Sequence, residues 1–232
     1  MRRLPISEIP AEGERRRLDR ESAQHRKVLR LREGDAIELF DGRGGRAKAV
    51  LEGEDAVRVI EWLPRRAALP RVELILCLPK LADLENSVRM ATELGATAIH
   101  LAMSDHSVVK LSDRKGAQKI ERLRKIALEA SRQSERDELP ELYEPAPLHE
   151  VLAKIDPSLH RFIALERSNA DPLEKATEGA ALLIGPEGGF SEAEAEAALA
   201  AGWKSLSLGP TILRVSTAVA AAIAHLAALR RE

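Results

Sequence analysis

A chain of 232 residues is long enough for one large domain, or for a small domain joined to a medium one. Hydrophobic residues make up 44% but aromatics only 3%, so a core of Leu, Ile, Val and Ala is expected. A net charge of −1 excludes a nucleic-acid binder held by overall charge, and a single cysteine excludes an internal disulfide and any cysteine-based zinc site.

In chain order, Met1-Arg2-Arg3-Leu4-Pro5-Ile6 is basic without the apolar stretch of a secretory signal, and no run approaches the roughly twenty apolar residues of a membrane span. A cytoplasmic protein is expected. Residues 1–70 carry 16 Lys+Arg against 13 Asp+Glu, and the remainder 20 against 24, so the slight positive excess lies at the N-terminal side. Arg15-Arg16-Arg17 with Arg20, Arg26-Lys27 and Arg30-Leu31-Arg32 are candidate phosphate contacts, although any one of them taken alone reads better as a solvated face. Ala36–Phe40 alternates toward a turn at Asp41–Gly45, and Ala47–Leu51 and Ala56–Trp62 read as further strands. Leu63–Pro70, with two prolines, reads as a linker. The chain is therefore divided into residues 1–70, rich in β-strand, and residues 71–232.

From there strands and helices alternate, as in an α/β domain. Val72–Leu78 is a strand that would bury Cys77, and Leu81–Leu94 a helix closed by Gly95. Ala98–Ala102 is a strand, and Gln118–Gln133 a helix with Ile120, Leu123, Ile126, Ala127 and Ala130 on one face. Arg161–Leu165 and Ala180–Ile184 are short buried strands, and Val215–Leu229 is an alanine-rich closing helix. This pattern alone predicts an open parallel sheet with helices on both faces. Trp62 and Trp203 read as core or interface residues.

Two blocks carry the chemistry. Gly185-Pro186-Glu187-Gly188-Gly189-Phe190-Ser191 joins a strand to a helix whose start, Ser191-Glu192-Ala193-Glu194, is a capping box. Its three glycines let a ligand approach bare backbone at a strand's carboxyl end. About twenty residues on, Leu206–Arg214 passes from an apolar strand through Gly209-Pro210 into the last helix. The spacing is not the Gly-x-Gly-x-x-Gly of dinucleotide enzymes. Ser191 does not sit in a Gly-x-Ser-x-Gly elbow, and the six histidines show no metal spacing.

These paired blocks resemble those of the SPOUT methyltransferases, and the chain is similar to their RsmE family, the 16S ribosomal RNA uracil-N3 methyltransferases. Leu78-Pro79-Lys80, Ala91–Gly95, Ser107-Val108-Val109-Lys110, His25 with Val28–Leu31 and Gly34-Asp35, and Phe40-Asp41-Gly42 match family blocks in order. The resemblance implies a SPOUT-type α/β domain with a C-terminal deep trefoil knot, preceded by a small PUA-like β-barrel that grips RNA. It implies S-adenosylmethionine as cofactor, 16S rRNA of the small ribosomal subunit as partner, a homodimer and no metal.

The cofactor pocket is then assigned to Leu165, Glu166, Ile184, Gly185, Pro186, Glu187, Gly188, Gly189, Leu208, Gly209, Ile212, Leu213 and Thr217. Glu187 reads equally as a ribose or sulfonium partner and as a carboxylate at a helix N-terminus. Arg214 is the candidate catalytic cation that stabilises the uracil anion, its competing role being an ion pair with a helix carboxylate. RNA contacts are assigned to Arg2, Arg3, His25, Arg30, Lys80, Lys110 and Arg136.

The chain departs from the family pattern at four positions: Ser216 for a usual Glu, His106 for Arg, Met90 for Lys and Glu135 for Gly. Ser216 could instead cap the final helix. Competing readings are an inert RNA- or ribosome-binding paralogue and a methyltransferase for another RNA nucleoside.

Overall fold

The computed structural model describes residues 2–108, 114–165 and 179–229. The chain divides into two compact units, one of Met1–Ala68 with Ser131–Leu139 and one of Leu69–Ala130 with Pro140–Glu232. The return of Ser131–Leu139 to the first unit departs from the simple division at residue 70.

The first unit is a five-stranded sheet. Strands β1 (Arg2–Pro5), β3 (Ala36–Phe40), β4 (Arg46–Glu52), β5 (Ala56–Trp62) and β2 (Arg15–Arg17) lie in that order, with β1 and β2 at the edges. Along β4, Ala47, Ala49 and Leu51 are buried while Lys48 is exposed, the alternation of a strand with one face on a core. That core holds Leu4, Ile37, Leu39, Val57 and Val59. Helix α1 (Arg20–Val28) starts at Asp19, whose carboxylate accepts the Ser22 N–H at 2.8 Å. It ends at Arg30, which takes φ 53° as the Leu31 N–H returns to the Arg26 carbonyl at 3.1 Å. Trp62, expected in a core or interface, is 45% exposed at the end of β5.

The returning segment is fixed by buried charge. Arg3 donates to Glu38 at 3.0 Å, to the Arg136 carbonyl at 3.0 Å and to the Asp137 carboxylate, and its guanidinium lies 4.4 Å from the centroid of the Phe40 ring. Arg46 bridges Glu38 and Asp137 at 3.5 and 3.6 Å.

The second unit is a six-stranded sheet, wholly parallel. Its strands are β6 (Val72–Cys77), β7 (Ala98–Met103), β8 (Glu141–Pro147), β9 (His160–Ala164), β10 (Ala180–Ile184) and β11 (Lys204–Leu206), in spatial order β11-β9-β10-β6-β7-β8. Every residue of β6 and β10 is buried, as central strands covered on both faces must be. Two cores result. On one face Leu74, Leu76 and Leu182 pack with residues of α2 (Leu81–Glu93), α3 (Arg114–Gln133) and α6 (Val215–Leu229). On the other, Ile75, Cys77, Ala181 and Leu183 meet α4 (Leu148–Lys154) and α5 (Glu192–Ala200), with Trp203 buried among them. Helix α2 ends as expected at Gly95, φ 100°, with the Ala96 N–H on the Ala91 carbonyl at 2.9 Å.

Among the described residues, no helix is long and apolar enough to cross a membrane. No group of three or more His, Cys, Asp or Glu among them is placed to hold a metal ion.

Candidate functional site

Because the sheet is parallel, the carboxyl ends of β9, β10 and β11 open on one edge, where the chain must leave each strand through a loop. These three exits enclose a cavity of about 730 Å³, within the range of small-molecule sites. The β9 exit contributes Ala164 and Leu165, the β10 exit residues 184–192, and the β11 exit residues 208–215. Ala195 and Ala218 line it from the helices that follow.

Two glycines give this wall its shape. Gly189 (φ +68°) and Gly209 (φ +115°) hold left-handed backbone that a side chain would strain, and each has open space where a Cβ would stand. At Gly185 the reason is different. A Cβ there would lie 3.1 Å from the Phe190 ring, so the ring covers the glycine and becomes part of the wall. The capping box is formed. Ser191 Oγ accepts the Glu194 N–H at 3.3 Å, and Glu194 accepts the Ser191 N–H at 2.9 Å, which fixes where the loop turns into α5.

Glu187 is exposed on the loop and accepts the Lys80 N–H at 3.0 Å, at the N-cap of α2. It is therefore a carboxylate at a helix N-terminus, and it lines the cavity as well. Arg214 closes the wall. Its carbonyl accepts the Ala218 N–H at 2.8 Å, opening α6, and its exposed side chain lines the cavity. Among the described residues the Arg214 side chain has no hydrogen-bond or ion-pair partner, so the competing structural role, a pair with a helix carboxylate, has no support.

Of the cofactor residues assigned from sequence, Leu165, Ile184, Gly185, Pro186, Glu187, Gly188, Gly189, Leu208, Gly209, Ile212 and Leu213 all line this one cavity. Glu166 lies outside the described residues. Thr217 is corrected: it is exposed on α6 and does not line the cavity, because the helical period turns Val215 and Ala218 inward and Thr217 away. Ser216 is not a helix cap either. It lies inside α6, 7% exposed, and donates to Asp83 at 3.1 Å.

Two of the RNA assignments are corrected too. Arg3 and Arg136 are 5% and 8% exposed, and a guanidinium buried within the first unit cannot meet a phosphate in solvent. Burial lowers the Arg136 guanidinium to about 10. Arg2 and Arg30 are exposed, Arg2 lying 3.8 Å from Asp35, and His25 is half-buried. Lys80 is exposed in the second unit, and Lys110 lies outside the described residues. The triple arginine is answered by acids, Arg15 by Glu52, Arg16 by Glu8 and Arg17 by Asp55.

Reading from sequence missed Phe190, Pro210, Thr211 and Ala195 as lining residues. An aromatic directly after the glycine pair was the available signal for Phe190. It missed as well the contacts of Asp105 and His106 with the glycine loop.

A cavity of this size, walled by glycine loops and apolar side chains at the carboxyl edge of a parallel sheet, defines an α/β protein built to bind a small organic ligand. Residues 66–227 match the RNA methyltransferase domain family, and residues 18–61 the RNA methyltransferase PUA domain. The chain is 36% identical over 206 residues to ribosomal RNA small subunit methyltransferase E of Bacillus subtilis, covering 82% of this chain and 80% of that one. To the Synechocystis protein of the same name it is 33% identical over 213 residues, covering 88% and 69%. A crystal structure of ribosomal RNA small subunit methyltransferase E from Neisseria gonorrhoeae, bound to S-adenosylmethionine, superposes with a TM-score of 0.91 at 26% identity, covering 99% and 98%. The chain belongs to the ribosomal RNA small subunit methyltransferase E family.

Proposed function

We propose that this protein methylates N3 of a uracil in 16S rRNA of the small ribosomal subunit, with S-adenosylmethionine as methyl donor. The observation that carries the reading is an arginine without a partner on the wall of a glycine-looped cavity of the right size.

The residues present fit S-adenosylmethionine. Gly189 and Gly209 leave backbone bare, Leu165, Ile184, Leu208 and Leu213 offer apolar surface, and Glu187 and Glu192 put negative charge beside a cationic ligand. When bound, the cofactor supplies an electrophilic methyl group on sulfur. The apolar side chains exclude water from that methyl's surroundings. Uracil N3 must lose its proton before it can act as a nucleophile, and the charge left behind spreads over the flanking carbonyl oxygens. The Arg214 guanidinium, always protonated and free to turn toward that charge, favours its formation.

The first unit acts as the PUA-like RNA-gripping domain and the second as the SPOUT catalytic domain, whose C-terminal segment closes a trefoil knot. Arg2, His25, Arg30 and Lys80 are the described residues of the RNA side. The protein works in the cytoplasm as a homodimer, and the small residues Ala220, Ala221 and Ala224 of α6, left partly or fully exposed, suit a close two-fold contact.

The test is Arg214→Ala, assayed on small subunits lacking the modification and by calorimetry with S-adenosylmethionine. The expected outcome is a fall in kcat of about a hundredfold or more, with cofactor affinity changed less than threefold. A fully active variant would leave Arg214 without a catalytic role, and a native protein that fails to bind the cofactor would favour an inert RNA-binding paralogue.

A further inference from the structure

The glycine loop is held from outside the cavity by the loop that follows β7. The Asp105 N–H donates to Glu194 Oε1 at 2.8 Å, and Ser191 Oγ donates to Asp105 Oδ2 at 2.7 Å, so both capping-box side chains are shared with Asp105. One residue on, His106 Nδ1 lies 3.0 Å from the Gly188 carbonyl oxygen and 3.3 Å from that of Gly189. Both partners are acceptors, so Nδ1 carries the proton and donates. A Cβ on Gly188 would stand 3.1 Å from His106 Cβ, so His106 sits directly over that glycine. Their partners Gly188, Gly189 and Ser191 line the cavity, whereas Asp105 and His106 do not.

We propose that His106, with Asp105 beside it, is a positioning residue for cofactor binding. Its Nδ1–H fixes the Gly188-Gly189 peptides, and through them the backbone that the cofactor meets. This rests on the cavity being the S-adenosylmethionine site. A loop containing Gly189 at positive φ has several accessible conformations, and ordering it before the ligand arrives raises affinity without any contact to the ligand. The position is filled by His because a donor one bond beyond Cγ reaches both carbonyls; the side chain's bulk alone would not serve.

The experiment compares the native protein with His106→Ala and His106→Asn by calorimetry with S-adenosylmethionine, thermal melting, and steady-state kinetics on small subunits. Asn carries its amide nitrogen at the same bond distance from Cα as Nδ1. The expected result for His106→Ala is about fivefold weaker cofactor binding, of the order one lost hydrogen bond gives. The same factor should appear in KM, with kcat within about twofold at saturating cofactor and the melting temperature unchanged. His106→Asn should return affinity to within about twofold of native. Native binding with an unaltered His106→Ala affinity overturns the proposal, and so does an Asn variant as weak as Ala. An Ala variant that loses affinity and melting temperature together assigns His106 a structural role and overturns it as well. A native protein that does not bind the cofactor refutes the functional reading itself, a separate result.

Discussion

The Arg214 carbonyl opens α6, while its exposed side chain lines the cavity. Ser216, two residues on, is instead turned inward onto Asp83. A glutamate there would face a second carboxylate in a nearly closed space. Ser216→Glu is therefore expected to destabilise the protein by about 2 kcal/mol or more, read by urea unfolding, and not to raise activity. Unchanged stability with faster turnover would contradict that placement. Gly185→Ala drives a methyl into the Phe190 ring from 3.1 Å, so it should lower S-adenosylmethionine affinity roughly tenfold while the fold survives. Cys77 offers a plain check on the core. Fully buried, its thiol is pushed up to about 12 by desolvation, and a thiol reagent should leave it unmodified until denaturant is added.

At the scale of elements, the strands and helices legible in the sequence were those with a strong pattern. β10 is an unbroken apolar run, and β6 is one apart from Glu73 near its start, because both faces are covered, and α3 shows its core face at Ile120, Leu123 and Ala127. What stayed hidden had a physical reason. Helix α1 buries only Ser22 and Arg26, so it has no apolar period to read. β1 and β2 are four and three residues long and gain their pairing from strands far along the chain. β8 is an edge strand containing Pro145 and Pro147, residues that argue against a strand unless its edge position is known. The glycines of the cavity wall were legible because they fall in two short blocks, residues 185–189 and Gly209, each at the end of an apolar strand. The Asp105 and His106 contacts join loops more than eighty residues apart, and sequence periodicity carries no trace of them.

Near the start of β6, Glu73 accepts from His100 at 2.9 Å and from Arg71 at 2.8 Å, while His100 stacks on Tyr143 at 4.3 Å. The His100 hydrogen bond, with Arg71 behind it, holds the Glu73 carboxyl below its ordinary value of 4.5 against the opposing effect of burial. Folding therefore favours ionised Glu73. Its contribution is fully present above about pH 4.5 and is lost as pH falls through the lowered value. The melting temperature of the native protein should drop more steeply between pH 5 and pH 3 than that of Glu73→Gln; parallel curves would contradict the linkage.

For the whole molecule, the sequence placed one boundary near residue 70 and gave no sign that Ser131–Leu139 belongs with the first unit. The reason is that the segment is held by charges, Arg3 against Glu38 and Asp137, which look like surface residues in a linear chain. Removing the cation leaves two buried carboxylates with less compensation. Arg3→Ala should cost about 3 kcal/mol of stability in urea, with no direct effect on phosphate affinity. Light scattering at micromolar concentration should return twice the 25.4 kDa of one chain, and the single-chain mass would remove the dimer. Small subunits from a strain lacking the native modification, incubated with the protein and tritiated S-adenosylmethionine, should take up label, and nucleoside mass spectrometry should find it as 3-methyluridine in 16S rRNA. Label in any other nucleoside, or none on subunits that a related enzyme methylates under the same conditions, would contradict the account.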